Sequence, residues 1–120
     1  MTERAHRHLP VWKASIDPVE AFYVVSAEFP KDELFGLRSQ VRRAAVSVAA
    51  NIAEGAARKT TPELIQFLYV ANGSLSELDT HVEIAKRLGY LKDSGSLQAQ
   101  LDEVQGQLLT VIQSLKRRSR

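Results

Sequence analysis

Leu64, Leu68, Ala71, Leu75, Leu78, Val82 and Ala85 recur in steps of three and four. A row with this period can be buried only by a helix, because a strand turns every second side chain to the opposite face. The pattern recurs three more times. Leu97, Leu101, Val104, Leu108, Val111 or Ile112, and Leu115 form a second near-heptad row. Leu34, Leu37, Val41, Ala44, Val48 and Ile52 form a third, and Trp12, Ile16, Val19, Phe22 and Tyr23 a fourth. No segment alternates with period two over a useful length, so no sheet is expected. Four helical rows joined by short breakers predict an all-α, antiparallel up-down-up-down four-helix bundle. Near-heptad spacing predicts shallow left-handed crossings.

Local signals predict the helix ends. Pro18 is awkward inside the first row, so that helix either starts near Asp17 with Pro18 at its first position or kinks there. Phe29-Pro30 ends it. Asp32 and Glu33 suit the N-terminus of the second helix, and Gly55 suits its stop. Thr60 or Thr61 caps the third, with Pro62 at its start and Glu63 able to close a capping box onto Thr60. Gly89 ends it. The fourth begins near Ser94 or Ser96 and finishes in Lys116–Arg120. These signals set a bundle over residues 11–117, a flexible N-terminal segment 1–10 and a basic tail 118–120.

At 120 residues the chain fits one domain. Hydrophobic residues at 44% and charged residues at 25% argue against disorder. There is no cysteine, which excludes disulfides and thiolate metal sites and favours a reducing, cytoplasmic setting. The N-terminus lacks the apolar run of a secretory signal, and Ala44–Ala50 is too short to span a bilayer, so no membrane partner is expected. No Glu-x-x-His motif, Gly-rich phosphate loop or nucleophile–base pairing is present, so the expectation is no metal, no cofactor and no catalytic residue.

The chain resembles the 23S rRNA intervening-sequence proteins, a bacterial four-helix bundle family. The likeness lies in Val11–Gly55 and Phe67–Leu91. Its most specific parts are Phe29-Pro30, Glu33, Gly36-Leu37, Ser39-Gln40, Arg42-Arg43-Ala44, Ser47, Asn51-Ile52 and Glu54-Gly55, then Ala71, Gly73-Ser74-Leu75, Glu77-Leu78 and Thr80. Family members often carry a proline between the serine and the Asn-Ile pair, where this chain has Val48, Ala49 and Ala50. The resemblance implies a homopentamer. It also implies kinship with accessory proteins of diversity-generating retroelements, which engage nucleic acid and a reverse transcriptase through a basic pentamer.

Two constellations are candidate sites. On the second helix, Gln40, Arg43, Ser47, Asn51 and Glu54 make a polar stripe among alanines, and Ser74, Glu77 and His81 line one edge of the third. Arg43, Ser47, Asn51, Glu54, Ser74 and Glu77 are therefore expected to form a polar network between helices or between subunits, because buried amides and carboxylates need partners. The small residues around them suit either tight packing within one bundle or a subunit face. A catalytic carboxylate pair is disfavoured, since a bundle helix offers no cleft.

The second constellation is basic: Arg38 and Arg42, Arg58 and Lys59, and Lys86 and Arg87. The bland reading is a solvated surface offset by Asp and Glu. The functional one is contact with RNA or DNA phosphates, multiplied by oligomerisation. Trp12, Tyr23, Phe35, Tyr69 and Tyr90 mostly suit core positions, so base stacking is not expected. The leading expectation is a non-enzymatic, pentameric bundle that binds nucleic acid through backbone charge. The alternative is a protein-interaction scaffold with no nucleic-acid role.

Overall fold

The computed structural model describes residues 3–118. Four helices carry the fold: α1 (Pro10–Ser26), α2 (Leu37–Ala56), α3 (Thr61–Arg87) and α4 (Gly95–Arg118). Short 3-10 turns precede α1 at Ala5–His8 and α2 at Lys31–Glu33. No strand occurs among the described residues. Each helix packs on its sequence neighbours and α1 closes on α4, with no close backbone approach across the diagonals among the described residues. The register of the contacts makes neighbours antiparallel. Ser47 meets Ser74 while Gly55 meets Phe67, so numbers rise on α2 as they fall on α3. Likewise Gln98 bonds Asp79 while Gln105 bonds Asn72.

The α2, α3 and α4 rows are buried as their spacing predicts. Leu68, Ala71, Leu75, Leu78, Val82 and Ala85 pack against Leu97, Leu101, Val104, Leu108 and Ile112 in one core with Leu37, Val41, Val48 and Ile52. The exception is Leu34, which lies in the turn before α2 and is exposed.

The α1 row is rotated. Val11, Ser15, Pro18, Phe22 and Ser26 face inward, whereas Ile16 and Tyr23 are exposed. Two serines hide in this face because each bonds the carbonyl three residues back: Ser15 Oγ to Trp12 O at 2.6 Å and Ser26 Oγ to Tyr23 O at 3.4 Å. They behave as small, self-satisfied core residues. The helix starts at Pro10, a favourable first position, and runs through Pro18, so the start near Asp17 is corrected.

Other helix ends differ from, or refine, the sequence reading. Asp32 and Glu33 form the 3-10 turn, and α2 begins four residues later at Leu37. Glu33 still serves its N-terminus, because its Oε1 accepts the Leu37 N–H at 3.0 Å. Gly55 does not stop α2; it lies in the last helical turn. A Cβ at that position would come within 2.7 Å of Phe67 Cβ, so glycine is there to let α3 approach closely. Gly89, by contrast, adopts φ +80° just past α3. Tyr90 N–H bonds Ala85 O and Gly89 N–H bonds Lys86 O, the paired bonds of a Schellman cap. At the other end of α3, Thr60 Oγ1 accepts the Glu63 N–H at 3.3 Å and donates to Glu63 Oε1 at 2.7 Å.

Candidate nucleic-acid interface

The topology gives the bundle two unlike ends. The connector end holds the α1–α2 and α3–α4 links. The terminal end holds the α2–α3 link, the start of α1 and the end of α4. The 27 residues of α3 alone separate them by about 40 Å.

The six basic residues singled out in the sequence therefore do not form one surface. Arg38, Arg42, Lys86 and Arg87 lie toward the connector end, and Arg58 and Lys59 toward the terminal end. Arg38 and Arg42 turn back onto α1. Arg38 Nη2 donates to Phe29 O at 3.0 Å and to Ala27 O at 3.3 Å. Arg42 donates to Tyr23 O at 3.0 Å and to Ser26 Oγ at 2.8 Å, and its guanidinium lies 4.5 Å from the Tyr23 ring centre. Carbonyls at and just past a helix C-terminus carry partial negative charge, so two arginines from the next helix suit them well. Arg87 pairs with Glu83 at 2.8 Å, which holds the Glu83 carboxyl below its ordinary value. Lys86 is exposed.

The terminal end is different. Arg58 and Lys59 share it with Arg7, Lys116, Arg117 and Arg118. Three of these cations lie over aromatic rings: Arg7 over Trp12 at 5.1 Å, Arg58 over Phe67 at 4.7 Å and Lys116 over Tyr69 at 5.1 Å. Stacking of this kind holds a cation at the surface without removing its charge. The nearby carboxylates are engaged locally: Glu54 by Arg58 at 3.1 Å, Glu3 by His8 at 3.1 Å and Glu63 by Thr60. Sequence reasoning missed Arg7 and set the C-terminal basic run apart as a tail, without joining it to Arg58 and Lys59. The signal was the run Lys116-Arg117-Arg118, which only the topology brings beside Arg58 and Lys59. Residues 119–120 of the proposed tail lie outside the described residues. Tyr69 is exposed here, as Tyr23 and Phe35 are elsewhere, which corrects their placement in the core.

Half of the expected polar network exists. Ser47 Oγ and Ser74 Oγ are 2.9 Å apart, and Asn51 Nδ2 donates to Ser47 Oγ at 2.9 Å and Ser47 O at 2.8 Å. These three groups knit α2 to α3 within the chain. The other three do not join. Glu54 is drawn to Arg58, and Glu77 to the buried His81 at 3.2 Å. Arg43 is exposed and makes no hydrogen bond or ion pair among the described residues. Ala44, Ala45 and Ala49 are buried, so the small residues of α2 serve its approach to α3.

At the connector end, Tyr90 Oη donates to Glu33 Oε2 at 2.9 Å. The Leu37 N–H and the Tyr90 hydroxyl together hold the Glu33 carboxyl below its ordinary value of 4.5. The same bond raises the Tyr90 hydroxyl above 10.0.

A family model of the 23S rRNA-intervening sequence proteins matches residues 7–110, nearly the whole bundle. The chain belongs to that family. No curated protein matches it. Among the described residues of this family member, no group of three or more His, Asp or Glu side chains could hold a metal ion. No described helix is long and apolar enough to cross a membrane.

Proposed function

We propose that this 23S rRNA-intervening sequence protein is a non-enzymatic, cytoplasmic homo-oligomer that binds the phosphate backbone of RNA or DNA through its terminal end. The observation that carries the reading is the gathering of Arg7, Arg58, Lys59, Lys116, Arg117 and Arg118 around the α2–α3 link. Cations held on aromatic faces present fixed charge to a polyanion. The contact is with phosphates and indifferent to base sequence, because the charges lie at chain ends and a link, not along one helix face that could lie in a groove. In a closed ring every subunit points the same way along the axis, so the basic ends share one rim and bind multivalently.

Fluorescence anisotropy with a labelled duplex and a labelled single strand tests this. Affinity should fall with salt, with a log–log slope of about −0.9 per duplex phosphate neutralised and about −0.7 on single strands. Replacing Lys116, Arg117 and Arg118 by Ala should weaken binding to all sequences alike and flatten the slope. Replacing Lys86 should do neither, because it lies at the other end. An intact oligomer that binds neither probe at low salt overturns the nucleic-acid reading in favour of a protein scaffold.

A further inference from the structure

Phe35 is 91% exposed, the extreme among the large apolar side chains of the described residues. It stands in the turn before α2, beside Leu34, Tyr23 and Val46, which are also exposed. Arg38, Arg42 and Arg43 border the same groove. Arg38 and Arg42 bond carbonyls and a hydroxyl, and Arg43 bonds nothing among the described residues, so no carboxylate neutralises the three. An aromatic knob within a basic collar calls for a hollow with an acidic one.

The chain carries such a hollow on the other flank of α1. Val24 is 66% exposed and lies with Ala21 and Val25 in a groove between α1 and the start of α4. Asp17, Glu20 and Asp93 border it. Asp17 and Glu20 make no ion pair or hydrogen bond among the described residues, and Asp93 accepts only the Gly95 N–H. The two patches thus match in both respects: apolar centre to apolar centre, and three cations to three carboxylates.

We infer that a second copy of this chain docks head-to-tail here, seating the Phe35 knob of one subunit in the Val24 groove of the next. The contact is heterologous, since each subunit uses one patch for each neighbour. Tyr23 edges one patch and Val24 the other, and consecutive helical residues point about 100° apart. Successive copies are therefore turned relative to one another, and a ring forms where that rotation closes. The inference rests on the homo-oligomer reading and names the surface that builds it. It also places Arg38, Arg42 and Arg43 at the subunit contact and leaves the terminal end free for nucleic acid.

The test is light scattering of Phe35→Asp and Val24→Arg, alone and mixed, with circular dichroism to verify the helices. Each new charge suits its own chain's collar and opposes the partner's. Wild type should show one discrete mass of several chains, unchanged with concentration. Each variant alone should show one chain. The equimolar mixture should stop at two chains, because the intact Phe35 of one variant fits the intact Val24 groove of the other. Should Phe35→Asp fail to fold, Phe35→Ser takes its place. Wild-type mass retained in either variant overturns this surface and leaves the oligomer reading standing. A mixture that stays at one chain overturns the head-to-tail pairing. A wild-type mass that grows steadily with concentration overturns ring closure. A monomeric wild type overturns both the surface and the oligomer reading.

Discussion

The connector end and the terminal end are built from the same residue types and use them in opposite ways. At the connector end, Arg38 donates to carbonyls just past α1 and Arg42 to Tyr23 O in the last turn of α1, and Glu33 joins the α2 N-terminus to Tyr90. At the terminal end, Arg7, Arg58 and Lys116 rest on aromatic rings, and Lys59 and Arg117 are exposed without a bond among the described residues. An arginine near a helix terminus is therefore not in itself a ligand-binding residue. Its neighbours decide: a carbonyl and a hydroxyl tie Arg42 to α1 even as it lies over Tyr23, whereas Arg7 and Lys116 have a ring face and no carbonyl among the described residues.

The largest effect comes from a close approach of α2 and α3 at the terminal end. Gly55→Ala puts a methyl group against Phe67 Cβ and Leu64, both on the adjoining helix. Overpacking of this kind costs about 1–3 kcal/mol, which outweighs the helix propensity gained from alanine. Chemical denaturation should show a lower midpoint with an unchanged m-value. A stabilised Gly55→Ala would show that α2 and α3 can part here without penalty.

Next is Arg42→Ala at the connector end. It removes bonds to Tyr23 O and Ser26 Oγ and the stacking on Tyr23. Hydrogen bonds to charged groups are each worth about 1.5–3 kcal/mol, and water replaces part of what is lost at the exposed carbonyl, so a loss of about 1–2 kcal/mol is expected. Thermal melts would read it. A loss within about 0.5 kcal/mol, the ordinary scatter for surface changes, would erase the distinction between the two ends.

How much of this was legible in the sequence follows from what each signal depends on. The α2, α3 and α4 rows were readable because a helix facing one core repeats one period. The α1 row misled because its buried face includes Ser15, Ser26 and Pro18, and no hydropathy pattern marks a serine that satisfies itself on its own helix. Residues quoted for the family likeness find physical reasons here: Glu33 caps α2, Ser47, Asn51 and Ser74 knit α2 to α3, and Gly55 admits Phe67. The basic end was not readable, since Arg7, Arg58 and Lys116 meet only through the up-and-down path of the chain. Nor was the fate of Arg38 and Arg42, which depends on where α1 ends.

A smaller effect separates the ends by pH. The Glu33 carboxyl is held below 4.5 in the folded protein, so the unfolded chain takes up its proton first. Its contribution is present above the unfolded value and is lost as pH falls through the folded one. Tyr90 runs the other way: its hydroxyl is raised above 10.0, so its contribution is lost as pH rises through the folded value. The Glu33–Tyr90 bond is therefore complete between these two limits. Glu33→Gln should flatten the acid limb of the stability profile, and Tyr90→Phe the alkaline limb. An acid limb unchanged in Glu33→Gln would show that the bonds from Leu37 and Tyr90 to Glu33 add nothing to stability.

The smallest effect belongs to the terminal end, and it gives the sharpest contrast. Arg58 pairs with an exposed Glu54 four residues back and covers one face of Phe67. Exposed pairs of this spacing contribute about 0.3–0.5 kcal/mol, and exposed cation–π contacts about 0.5–1 kcal/mol. Arg58→Ala should therefore cost about 1 kcal/mol, and Lys59→Ala nothing measurable. If the terminal end is the phosphate-binding face, the same two changes should still weaken anisotropy-measured binding and lower its salt slope. Arg42→Ala should do the reverse at subunit concentrations where the oligomer survives: a clear loss of stability with the salt slope intact. Equal stability losses at Arg42 and Arg58, or a slope that follows Arg42 and ignores Arg58, would assign the working charge to the other end of the bundle.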